Sequence, residues 1–314
     1  MIQITKTSLF CLLGLTAGLA AQGDAVDLRI KSQKGATVWL SQESKMENTI
    51  DMGGQEMETG TTTTTIAQFT VKDVEESGTL VIETKVARIH GAMTMPMQGD
   101  IEFDSAQPSQ GGMAAMTKPL TALAGKTFVA KVSPHGKVTA LEGVEDMVKK
   151  GKSNPMMPSG PSEAQLKALV EGAFGVLPET PLAIGASWEH EARESGEMPG
   201  TKMKLTLAKV DDATFEITGT GTVDQPKPNA NGKGNPMLDS LKIASSKAEG
   251  TQRVSRKDGF IVDAAHTMTM DASAEGPMGE MSMVVKVVTT TRRTTADAAM
   301  PPKAVTPPKE EGGE

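Results

Sequence analysis

Apolar residues recurring at every second position restrict this chain more than any other feature, because only a β-strand lays alternate side chains on one face. "KMKLTLAKV" places Met203, Leu205 and Leu207 together. "GFIVDAAHTMTM" does the same with Phe260, Val262, Ala264, His266, Met268 and Met270, and "MSMVVKV" with Met281, Met283, Val285 and Val287. About ten half-buried strands of this kind are expected. Lys257-Asp258-Gly259 and Pro134-His135-Gly136 mark tight hairpin tips, since Asp and Gly tolerate positive φ, and His135 at its tip is expected to be exposed.

One segment breaks the pattern. Ser162 and Gln165 form a capping box, and Leu166, Leu169, Val170, Ala173, Phe174 and Leu177 make one apolar stripe, which predicts a helix over 162–177 stopped by Pro178. A helix about 10 Å wide covers only two or three strands spaced about 4.8 Å apart. The sheet must therefore curl around it or fold on itself. The expected fold is mainly β with a minor α component: a curled antiparallel sheet with one amphipathic helix packed on its concave face.

The strands also read as two diverged repeats. "FTVKDVEESGTLVIETKV" (69–86) aligns with "LTLAKVDDATFEITGTGTV" (205–223), each after a lone tryptophan, Trp39 or Trp188. Each precedes a hairpin of similar wording, "VSPHGKV" (132–138) or "VSRKDGFIV" (254–262). The expectation is one β-rich domain over 22–297, its repeats at about 26–140 and 180–297 joined by the helix. The tail 298–314 alternates proline with charge and is expected to be disordered.

Residues 1–20 read as a signal peptide cleaved near Ala20 or Ala21, so export to the periplasm or beyond is expected. The apolar run from Leu9 to Leu19 is shorter than the roughly 18 to 20 residues of a membrane span, so an integral membrane protein is not expected. Cys11, the single cysteine, lies within that signal, which leaves the mature chain without disulfides or a thiol nucleophile. A net charge of −7 argues against nucleic acid as partner. Aromatic content of 3%, with no tyrosine, argues against stacking platforms for bases or sugars.

No catalytic constellation stands at diagnostic spacing. "WEHEARE" (188–194) lacks the second histidine of a zinc helix, and strand alternation sets Glu189 and Glu191 opposite His190. Phosphate-binding glycine loops and G-x-S-x-G elbows are lacking, so a non-enzymatic protein with no cofactor is expected.

That leaves the 21 methionines, which must supply much of the apolar volume. The expected ligand-binding interior, for a lipid or other apolar molecule, is lined by Met93, Met95, Met203, Leu205, Phe260, His266, Met268, Met270, Met281 and Met283, with Leu169 and Phe174 from the helix. Two alternatives stand beside it. One is a structural or interaction module of the cell envelope. The other is a copper(I) site of His266, Met268 and Met270, joined by Met281 and Met283 from the next strand.

"MTMPMQGDIEFDS" (93–105), "PLAIGASW" (181–188) after the helix, and "DGFIVDAAHTMTM" (258–270) together resemble a family of exported bacterial β-rich proteins of unknown function. That resemblance implies no activity. In architecture a curled sheet with a helix in its mouth is similar to the periplasmic lipoprotein carriers.

Overall fold

The computed structural model of the protein describes residues 25–96, 99–107, 114, 117–148, 161–192, 200–226, 240–276 and 279–301. The expected signal peptide and most of the expected tail lie outside the described residues.

Twelve strands form one antiparallel sheet that does not close. In chain order they are β1 (Thr37–Met52), β2 (Gln55–Val74), β3 (Leu80–Met95), β4 (Gly99–Asp104), β5 (Thr127–Val132) and β6 (Val138–Glu142), followed by α1 (Glu163–Glu171). The second series is β7 (Ser187–Ala192), β8 (Thr201–Val210), β9 (Thr214–Val223), β10 (Lys242–Ser255), β11 (Ile261–Gly276) and β12 (Gly279–Thr294). Across the sheet the order is β6-β5-β3-β2-β1-β12-β11-β10-β9-β8-β7, with β4 paired to β3.

The order β6-β5-β3-β2-β1 recurs as β11-β10-β9-β8-β7, and the irregularities recur with it. A bulge lies between Val71 and Asp73 in β2 and between Leu207 and Lys209 in β8. Val71 and Leu207 are both fully buried and pair with Ile82 and Ile217. The two similar hairpins carry bulges between Lys131 and Val132 and between Arg253 and Val254, and turn through Gly136 and Gly259 at positive φ. The tryptophans do not correspond. Trp39 pairs with Gln68, whereas Trp188 pairs with Leu205, the counterpart of Phe69, so the two indoles point to opposite faces.

The core fills one end of the concave face. Leu40, Phe69, Ile82, Phe128, Leu207, Ile217 and Val254 from the sheet meet Leu166 and Val170 of α1. The capping box forms as expected: the Gln165 N–H donates to Ser162 Oγ, and the Ser162 N–H to Gln165 Oε1.

The helix is shorter than expected, ending at Glu171 with Gly172 as its cap. Beyond it the chain is recruited by the sheet. Ile261 N–H donates to Ala173 O, Phe174 bridges Phe260 with rings 4.4 Å apart, and Leu177 N–H donates to His135 O. This strap ties together the tips of the two equivalent hairpins. His135, expected to be exposed, is consequently half-buried beneath it.

Residues 296–301 belong to the folded body, although the tail was expected to be disordered from 298. Arg88 donates to Met300 O at 2.7 Å and to the Asp104 carboxylate at 3.0 and 2.5 Å, behind the sheet. That short segment thus acquires a fixed polar anchor, which proline and charge content alone do not reveal.

Candidate functional site

Away from α1 the concave face continues uncovered by any described helix, and its chemistry changes. Registers fix which residues share it, because directly paired residues project to the same side. One row runs His190, Met203, Gly221, Ala248, Met268 across β7 to β11. It continues as Val287, Met46, Thr61, Met93 and Ile101 across β12, β1, β2, β3 and β4. Nearer the open end, Met270 pairs with Val285, Met283 with Ile50, Ile50 with Met57, and Met281 with Met52.

All ten methionines in the twelve strands lie on this one face: Met46, Met52, Met57, Met93, Met95, Met203, Met268, Met270, Met281 and Met283. The fully buried residues around α1 include none. Branched and aromatic side chains with few rotamers fill the solid end, and flexible thioethers line the open end. From Met46 outward, no Asp, Glu, Lys or Arg of β1, β2, β11 or β12 projects on this side. The charges, such as Lys45, Glu47 and Lys286, alternate onto the back.

A polar band separates the two ends. Gln42, Thr65 and Thr291 share a row, and His266, Thr289, Ser44 and Thr63 share the next. Between this band and the helix, Leu40, Ala67, Leu169 and Gly172 bound a cleft with room for about one water molecule. Within the methionine region, Asn48 donates to Thr59 Oγ1, while its own Oδ1 is shut off from solvent with no hydrogen-bond partner among the described residues.

The residues expected to line one interior therefore divide. Leu169, Phe174 and Phe260 belong to the helix end, where Phe174 and Phe260 stack in solid core. Leu205 is buried, and Met203 packs half-buried at its side. Met268, Met270 and Met283 form a satellite cluster with Val223, Leu241, Ala272 and Ala274, and buried Met281 stands opposite Ala274. Met93 and Met95 sit across the sheet on β3.

His266 stands apart. Its ring lies over Gly250, where a Cβ would come within 2.2 Å of Nδ1, and desolvation lowers its pKa although much of its surface is open to solvent. Met283 pairs with Ala272, six residues further along β11, which is about 20 Å away at strand rise. The register does not bring His266 together with Met281 and Met283. Among the described residues no three His, Cys, Asp or Glu side chains converge as metal ligands. His190, opposite Met203 on edge strand β7, also has its pKa lowered by burial, partly offset by Glu171.

Sequence reasoning missed Met46, Met52 and Met57. Their neighbours Lys45, Glu47, Glu56 and Glu58 give those stretches a polar look, and only the pairing of β1 with β12 and β2 shows that the methionines share one side.

Fold and site together define an open, curled antiparallel sheet, solid at one end and lined with methionine at the other. The chain belongs to a family of unknown function, DUF6263, whose model matches residues 77–261. No curated protein matches it. Among solved structures it is similar to a chain in a structure of lipid–protein interactions in lipovitellin, with a TM-score of 0.49 and 11% identity over 84% of this chain and 26% of that one. It thus spans about a quarter of that chain's length. It is also similar to the COG4313 outer membrane channel from Pseudomonas putida F1, with a TM-score of 0.25 and 8% identity over 87% of this chain and 100% of that one. A DUF1329 family protein from Desulfovibrio piger gives a TM-score of 0.16 and 10% identity over 83% and 87% of the two chains. Among the described residues, no helix is long and apolar enough to cross a membrane.

Proposed function

We propose that this is an exported, non-enzymatic protein that binds a lipid or similar apolar molecule of variable shape on the open half of its concave face. The observation that carries the reading is the segregation of methionine: every methionine of the twelve strands is on that face, and none is among the fully buried residues of the core around α1. Unbranched thioether side chains reshape around different ligands, as rigid Leu and Val do not. The absence of charge from β1, β2, β11 and β12 on that face suits an apolar or uncharged group. The amino-terminal sequence supports export.

The test uses Met57→Glu with Met283→Glu. Both side chains are half-buried and both pair with Ile50. Full-length protein stripped of copurifying lipid is titrated with 1-anilinonaphthalene-8-sulfonate and with palmitate. Two carboxylates placed against the bound chain should weaken binding by about 100-fold or more, since burying unpaired charge is strongly unfavourable. A folded double variant that binds both probes like the parent removes this face from consideration.

A further inference from the structure

We infer that the methionine face is a modification site: two-electron oxygen donors convert its thioethers to sulfoxides, turning an apolar surface polar while the fold persists. Three observations lead there. Met46 is 37% exposed, and Met57, Met93 and Met283 are half-buried, so these side chains reach solvent. Met270 and Met281, 8% and 7% exposed, are shielded on the same face and serve as internal references. The fully buried residues of the core around α1 include no methionine, so that packing has no sulfur to oxidise.

With hydrogen peroxide, a methionine sulfur lone pair attacks one oxygen, the O–O bond breaks, and water leaves. Sulfur loses two electrons and peroxide gains them, giving R–S(O)–CH3 and H2O. Each step replaces a flexible apolar group by a strong hydrogen-bond acceptor, and methionine sulfoxide reductases reverse it. The modification depends only on exposure and packing. Its effect on a ligand rests on the function proposed above.

Full-length protein is treated with hydrogen peroxide, and three readouts are followed: sulfoxide position by peptide mass spectrometry, thermal unfolding, and binding of 1-anilinonaphthalene-8-sulfonate. Met46, Met57 and Met283 should gain oxygen at least about fivefold faster than Met270 and Met281, in line with their exposure. Probe binding should fall by about tenfold or more while the main unfolding transition stays in place. A quadruple variant, Met46→Leu, Met57→Leu, Met93→Leu and Met283→Leu, keeps the surface apolar and should retain most of its binding after treatment. Equal oxidation rates at all five positions, or unfolding in step with oxidation, would overturn the inference. Untreated protein that takes up no probe refutes the ligand reading alone, because the oxidation map and the melting curve still decide the modification.

Discussion

Replacing Leu166 by alanine tests whether the molecule is solid at the helix end. Leu166 is fully shielded on α1, facing the sheet within the main core. Truncation removes three carbons from a site walled by sheet and helix that has little freedom to collapse, so the cost should be about 3 kcal/mol, within the usual range for a buried leucine. For a domain of this size each kcal/mol lowers the melting temperature by about 3 °C, which puts the loss near 9 °C. Met283→Ala is the comparison. Its side chain is half-buried at the open end, so the loss should be about 1 kcal/mol or 3 °C. Calorimetry on both variants, with urea unfolding at 25 °C as a second measure, gives the two numbers. If Leu166→Ala melts within about 3 °C of the parent, or Met283→Ala costs as much, the division into a solid end and an adaptable end is wrong.

Asp104 gives a pH-dependent test. The Arg88 guanidinium beside it holds its carboxyl below the usual carboxylate range, so its stabilisation is present above the unfolded pKa of about 3.9 and is lost as pH falls through the lower folded value. Asp104→Ala leaves a nearly buried guanidinium without its carboxylate and should cost about 3 kcal/mol at pH 7. Urea melts should show that gap narrowing in the acid range below the unfolded pKa; an unchanged gap there contradicts the assignment. Ser162→Ala removes the cap of α1 and should cost about 1 kcal/mol by the same assay, with no loss meaning that the box is idle. Gly136→Ala must place a Cβ 2.3 Å from Gly175 O at a φ of +85°, so it should loosen the strap and speed amide exchange at Leu177. Exchange there at the parent rate would show that the strap does not depend on the hairpin tip.

Much of this architecture is legible in local patterns. Alternation in "KMKLTLAKV" and "GFIVDAAHTMTM" located β8 and β11 because each has one wet face, and Ser162 with Gln165 marked the helix start because a capping box is a local device. What stayed hidden depends on partners distant in sequence. The apolar stripe through Phe174 and Leu177 continues past Gly172, yet Phe260 and His135 draw that stretch into bridges with the hairpin tips. Trp39 and Trp188 looked equivalent because a one-residue offset leaves the pattern intact while reversing the face. His266 and Met283 share the concave face, but only the register reveals the distance between them and the polar row of Thr289, Ser44 and Thr63 in which His266 stands.

Two strands, β4 and β12, have no counterpart in the other repeat, and β12 sets how the halves meet. β1 and β11 run in the same direction, and without an intervening strand they would be parallel neighbours; β12 restores alternation by running against both. The middle of the sheet is thus a seam between the earliest and the latest of the twelve strands, extending from Trp39 opposite Thr294 to Met52 opposite Met281. Such a seam cannot zip until nearly the whole chain has been delivered, so β1 must wait with one edge bare while everything else is threaded and folded. Two fragments divided between the repeats would each carry one lip of the seam, which makes the protein a natural subject for reassembly from separate pieces.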